Sequence, residues 1–269
     1  MTTTILFIAI LAVLIFVHEL GHFAVAKFFG IRVDRFALGF PPKLWGKKIG
    51  ETEYQLNLVP FGGYVAIYGE NPDDVKPEDG AQASRSLVAK NRGIQSAVLV
   101  AGIVMNLVFA WILISLGYVA GLPSSVDGTT YPIYVKDSAL TVTMVQPGTP
   151  AEKSGIQAGD KILFIGTGSE GVTAPTQEQV SNFISTRADI ELNVLVARNS
   201  ERLTLKPTPQ AGIIPGGGAA IGIGMSEIGT LQLPIHLAII EGARLTYVMV
   251  YDITVGTLGF LRDAFLGKA

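Results

Sequence analysis

His18-Glu19-Leu20-Gly21-His22 is the stretch of this chain whose residue types and spacing could do hydrolytic chemistry. On a helix, positions i and i+4 share a face, so both imidazoles can reach one Zn²⁺ while the Glu19 carboxylate approaches the attacking water. The pattern points to metal-assisted hydrolysis, with His18 and His22 as ligands and Glu19 as general base. Its setting is unusual. Thr4 to Val17 carries no charge, and the apolar stretch continues to Ala26, interrupted only by His18, Glu19 and His22. Such a run crosses a hydrocarbon core of about 30 Å at about 1.5 Å per residue. An ionisable residue at mid-bilayer costs roughly 2.5–3.5 kcal/mol on insertion scales, and a zinc site worth about 10–16 kcal/mol offsets that. Packing supplies no reason for two His and a Glu in this register.

The elements that must hold these groups follow from the rest of the chain. Gly93 to Val126 is a second uncharged run, with Ile94 to Ala120 its spanning part. Lys27, Arg32, Arg35, Lys43, Lys47 and Lys48 follow the first run, and Lys90 and Arg92 precede the second. Basic loops stay inside, so residues 28–92 are expected in the cytoplasm and the chain beyond about residue 121 outside. Composition agrees with a membrane setting. Of 269 residues, 49% are hydrophobic and 16% charged, against about 25% charged in soluble domains, and mean hydropathy is +0.43. A net charge of −2 gives no electrostatic case for nucleic acid. The absence of cysteine excludes disulfides, thiolate nucleophiles and cysteine-held metal.

Between the spans, Glu51 to Leu58 alternates, Pro60-Phe61-Gly62-Gly63 signals a turn, and Tyr64 to Tyr68 reads as a returning strand. This predicts a hairpin at the membrane face, followed by an acidic mobile loop from Glu70 to Gly80. Residues 127–210 read as a small α/β module. Leu140 to Val145 is a strand, Thr149-Pro150-Ala151-Glu152 a capping box on a short helix that Gly155 ends, and Lys161 to Ile165 another strand. Gln177 to Ser185 is a helix, and Ile190 to Val196 pairs with the strand at Leu203 and Leu205. Gly212 to Gly224 matches no G-x-G-x-x-G register and has no phosphate-loop Lys, so no nucleotide is expected and the segment reads as a connector. Residues 232–265 carry Glu241, Arg244, Asp252 and Arg262 among apolar positions, as an amphipathic helix on the outer membrane face would.

Taken together, several segments resemble the site-2 protease-type intramembrane zinc metalloproteases, of the bacterial regulator-of-sigma-E protease kind. Val17 to Phe23 resembles the family's metal motif. Gly39-Phe40-Pro41-Pro42-Lys43-Leu44 resembles its Gly-Phe-Gly-Pro segment, with Pro41 in place of the second Gly. Pro60 to Val65 resembles its Gly-Gly-Tyr turn. Ala101-Gly102-Ile103-Val104-Met105-Asn106 resembles its Ala-Gly-Pro-x-x-Asn, with Ile103 where Pro is usual. Residues 147–165 resemble a PDZ domain. The resemblance implies a polytopic α-helical membrane protein of the cell membrane, with a cytoplasmic-face β-hairpin and an inserted extracytoplasmic PDZ-like α/β domain.

It further implies Zn²⁺ as cofactor and regulated intramembrane proteolysis of single-span membrane proteins, with the lipid bilayer as surroundings. Glu19 is then the catalytic base, and Gly62, Gly63 and Tyr64 belong to a strand edge that holds the unwound substrate. Asn106 implies a hydrogen bond to substrate or oxyanion, with an ordinary interhelical bond as the other reading. The expected parts are residues 1–29, the first span; 30–92, the hairpin and loop; 93–121, the second span; 127–210, the PDZ-like domain; 211–231, a connector; and 232–269, the interfacial helix. The family's third ligand comes from a Leu-Asp-Gly motif that this sequence lacks. Asp79, Asp127, His236 and Asp252 are poor substitutes by position, so a fragment of a longer protease is expected. The alternative is a non-catalytic membrane-tethered PDZ module that binds exposed protein termini.

Overall fold

The computed structural model describes residues 2–75, 77–126, 129–168, 170–199, 201–214 and 217–267. In chain order the elements are α1 (Thr2–Phe28), β1 (Val33–Ile49), β2 (Thr52–Ile67), α2 (Arg92–Ala120), β3 (Leu122–Ser125) and β4 (Val135–Val145). They continue with α3 (Pro150–Lys153), β5 (Lys161–Thr167), β6 (Glu170–Thr173), α4 (Gln177–Ser185), β7 (Asn193–Arg198), β8 (Glu201–Leu205), β9 (Ile223–Leu231) and α5 (Ile235–Phe265). The chain forms two compact units, one of Met1–Ser115 with Ile239–Ala269 and one of Leu116–Ala238.

In the first unit, α1 and α2 are long and apolar enough to cross a membrane. Large apolar side chains such as Ile5, Phe7 and Ile10 on α1 and Leu99 and Ile103 on α2 stand exposed. In water each would forfeit about 25 cal/mol per Å² of apolar surface. The end of α1 is built to turn the chain. Ile31 N–H bonds to the Ala26 carbonyl and Gly30 N–H to that of Lys27, with Gly30 at φ 67°. This double closure needs a left-handed residue, which glycine supplies without strain. It drives Ile31 and Val33 into a core with Ala26, Phe36, Val65, Ile67, Leu87 and Val98. At the start of α2, the Asn91 side chain accepts the Ile94 N–H at 2.9 Å, as a helix cap does.

The strands of this unit differ from the expected hairpin. The tight turn lies at Gly50–Glu51, and β1 forms half of the sheet. The chain does come back after Pro60–Gly63, but the two arms of β2 do not pair with each other. Residues 35–38 face Glu53 to Leu56 on one flank and Ala66 to Gly63 on the other, so this part of β1 lies between them. Phe36, packed on Phe16 and Phe23 of α1, and Ala37, on the opposite face, are both buried. Residues buried on both faces lose the period-two alternation that betrays a strand. The expected loop at 70–80 instead carries short 3₁₀ turns at Pro72–Asp74 and Pro77–Arg85. The start of α5 meets α2: the Trp111 Nε1–H donates to the Ile239 carbonyl at 2.8 Å, and Gly242 sits against Ser115.

The second unit is a sheet in the order β3-β9-β4-β5-β7-β8, with β6 on β5. Leu140, Val142, Ile165, Val194 and Val196 pack with Val180 and Ile184 of α4 in its core. Two local readings change. The Thr149 hydroxyl donates back to the Gln146 carbonyl, and Glu152 accepts from the Gly148 N–H, so no capping box forms there. The box stands instead at Thr176 and Gln179, at the start of α4. The last nine residues of the expected 211–231 connector are β9, set between β3 and β4. Asp127 and Gly128 lie outside the described residues, as do Ser200, Lys268 and Ala269.

Candidate metal and catalytic site

His18, Glu19 and His22 sit on α1 where it meets α2 and the Gly63–Ile67 arm of β2. α1 and α2 approach closely because their facing residues are small. A Cβ on Gly21 would lie 2.8 Å from the Met105 Cβ, and one on Gly102 would lie 2.5 Å from both His18 Cε1 and His22 Nε2. The imidazoles thus rest on the Gly102 backbone.

The ring protons follow from the partners. His22 Nδ1 is 2.7 Å from the Val98 carbonyl. A carbonyl only accepts, so Nδ1 carries the hydrogen and Nε2 keeps its lone pair. That Nε2 is 3.2 Å from His18 Nε2. Two imidazoles on one tetrahedral Zn²⁺, at about 2.0–2.1 Å each, hold their nitrogens about 3.3 Å apart. The pair therefore fits the ion, and Val98 provides the outer hydrogen bond that fixes the His22 ring. Among the described residues no third His, Cys, Asp or Glu joins them to form a set of three. His236 and Asp252 lie exposed on α5, and Asp79 lies in the second 3₁₀ segment.

Glu19 is half-buried, with the Val65 backbone N–H near its carboxylate. Gly63 is beside it: a Cβ there would lie 3.5 Å from Glu19 Cγ and only 2.8 Å from the Ala37 carbonyl oxygen. A cavity of about 310 Å³ joins Glu19 and His22 to Tyr64, Val65, Glu70 and Val98. Tyr64 spans the small Ala37 to bond Gln55 at 3.2 Å. Of the other sequence candidates, Asn106 lies one turn beyond Gly102 on α2, and its Oδ1 is buried with no partner. Gly62 is elsewhere: it has φ 139° and its open side is filled by the Phe40 ring. Sequence reasoning missed Val98, Gly102 and Glu70. Only Gly102 carried a signal, as the small residue opposite the histidines in the segment already singled out.

Two converged imidazoles with an adjacent carboxylate, on one of two apolar helices, are the arrangement on which comparison with known proteins bears. The family model of peptidase family M50 matches residues 6–268, and the chain belongs to that family. A Nostoc sp. protein, provisionally named a zinc metalloprotease, is 36% identical over 230 residues, covering 84% of this chain and 58% of its own length. One from Clostridium perfringens, named in the same way, is 43% identical over 153 residues, 56% of this chain and 39% of that protein. Zinc metalloprotease Rip1 of Mycobacterium tuberculosis is 29% identical over 275 residues, 94% of this chain and 65% of its own. The chain spans about half the length of the relatives it matches.

Proposed function

We propose that this chain carries the zinc-binding and catalytic part of an intramembrane metalloprotease that cuts transmembrane segments of single-span proteins. The observation that carries the reading is the His18–His22 pair, converged to 3.2 Å on a helix apolar enough to span a bilayer, with Glu19 beside it. His18 and His22 would hold Zn²⁺, which supplies Lewis-acid activation of the scissile carbonyl and the attacking water. The Glu19 carboxylate takes the water's proton and delivers it to the nitrogen of the leaving amine. The Gly63–Ile67 arm pairs with β1 on one flank only, which leaves its other flank for an unwound substrate strand beside Glu19. Asn106, with an open acceptor on the face of Gly102, is suited to a substrate backbone N–H. The basic residues of 27–92 support an orientation with the strands of the first unit at the cytoplasmic face, and the resemblance of residues 147–165 supports reading the second unit as an extracytoplasmic PDZ-like domain.

The test is cleavage of a single-span reporter by the native gene product in lipid vesicles. Glu19→Gln is expected to lower turnover by at least about a hundredfold, the scale of general-base catalysis, while zinc content is retained. Unchanged cleavage in that variant would remove the catalytic assignment.

A second reading rests on one observation in the Leu116–Ala238 unit. A groove of about 180 Å³ runs between Ser181, Ile184 and Ser185 of α4 and the chain at Gly218–Met225. It suits an added peptide strand, as a PDZ module that binds exposed termini would require. Peptide binding by a chain in which His18 and His22 hold no zinc would favour that reading.

A further inference from the structure

Glu70 has no part in the chemistry described above, yet its side chain lines the same cavity as Glu19 and His22. It is exposed, at the mouth of that cavity, and near enough to Glu19 for their charges to interact. The turn that presents it is fixed. Glu70 N–H bonds to the Ile67 carbonyl at 3.1 Å, and Leu87 N–H to that of Tyr68 at 2.8 Å. Gly69, at φ 71°, has no room for a side chain, since a Cβ would lie 2.5 Å from the Ser86 Cβ. Among the described residues the Glu70 carboxylate has neither an ion pair nor a hydrogen bond, whereas nearby Glu51 and Glu53 are paired with Lys or Arg. A carboxylate presented by a fixed turn without a cation, beside a second carboxylate, is a place for a positive charge that arrives from outside.

What brings that charge is set by the strand leading to it. Gly63–Ile67 is the arm that borders Glu19, and Glu70 follows directly where the arm ends. A substrate strand laid along this arm, with its scissile bond at Glu19, leaves past Ile67 and meets Glu70 a few residues from the cut. Glu70 opens an acidic loop within residues 28–92, the segment whose basic residues place it in the cytoplasm by expectation. The flanks of single-span segments on that side are also rich in Lys and Arg.

Building on the proteolytic reading, we propose that Glu70 is a specificity-determining residue, favouring substrates with a basic residue on the flank that leaves past Ile67. The ion pair neutralises the cavity mouth and sets the register of the strand against Glu19, so it acts through binding more than turnover.

The test uses the native gene product in phosphatidylcholine vesicles with three single-span reporters, differing only in Lys, Gln or Glu at the position about three to five residues beyond the cut. The expected order of kcat/KM is Lys, Gln, Glu. Lys should exceed Gln by about three- to tenfold, mostly through KM, and the gap should shrink with added salt. Glu70→Gln should bring the three reporters close to parity, and Glu70→Lys should reverse the order. An unaltered Lys preference in Glu70→Gln overturns the role of Glu70, as does an equal loss on all three reporters. If the wild-type protein cuts none of them, the proteolytic reading falls and the inference with it, a result distinct from either of those.

Discussion

A methyl group on Gly102 tests the zinc site without touching a ligand. Alanine in place of a helical glycine gains about 0.8–1 kcal/mol of helix propensity. Here the new carbon would lie 2.5 Å from His22 Nε2 and 2.6 Å from His18 Nε2. One imidazole must then rotate away, and the 3.2 Å convergence is lost. Gly102→Ala is therefore expected to lose about tenfold or more in zinc affinity, read as zinc per protein after dialysis against buffered metal. Gly21→Ala meets Met105 and the Ala101 backbone instead. It should cost about 1–3 kcal/mol by overpacking, with a lower melting temperature and a smaller loss of zinc. Full zinc retention in Gly102→Ala would mean that the histidines do not bind metal in this packing. The pentapeptide made the convergence of His18 and His22 and the place of Glu19 beside them legible from sequence, because a four-residue helical spacing is a local property. Val98 and Glu70 were not legible. Any residue can offer a carbonyl, and a lone Glu in an acidic loop has no spacing to mark it.

The elements around the site are tied to α1 by charge as well as by packing. Glu51, at the β1–β2 turn, accepts two bonds from Arg85 at 2.7 and 2.8 Å and one from Lys27 at 2.6 Å. Arg85 first, and Lys27 second, hold its carboxyl down to about 2 from an ordinary 4.5. The folded value is the lower one, so this stabilisation is complete above about pH 4.5 and is lost as pH falls toward 2. Glu51→Gln is expected to be less stable than the parent at neutral pH by about 1 kcal/mol, a partly exposed network allowing no more. The difference should close between pH 4.5 and 2, followed by thermal unfolding in detergent across that range. A gap that persisted at pH 2 would place the effect in packing rather than charge. The helices of this unit were readable because long uncharged runs admit few alternatives. β1 was hidden by its place between the two arms of β2, where Phe36 and Ala37 are both buried. β9 was hidden by Gly222 and Gly224, which read as a connector although Ile223–Leu231 pairs on both sides.

Across the whole molecule, each compact unit has its own buried core, and His18, Glu19 and His22 all belong to the first. The chain enters and leaves that unit at neighbouring points, where Leu233 N–H bonds to the Tyr118 carbonyl at 2.9 Å. A segment inserted with its ends together can fold as a unit. Its weak point is electrostatic. Asp160 is 1% exposed, and burial pushes its carboxyl up. The paired bonds of Arg198, both at 2.7 Å, and the Gln157 N–H outweigh that and hold it below its ordinary range. Removing Arg198 strands a buried charge, at a cost of about 3–5 kcal/mol, against a total of about 5–15 kcal/mol for an ordinary domain. Arg198→Met should therefore unfold or nearly unfold this unit and open it to limited proteolysis. Zinc held by His18 and His22 should stay at the parental level in the same sample. If metal is lost together with the second unit, the two fold as one, and the site depends on a packing that its own neighbours do not supply.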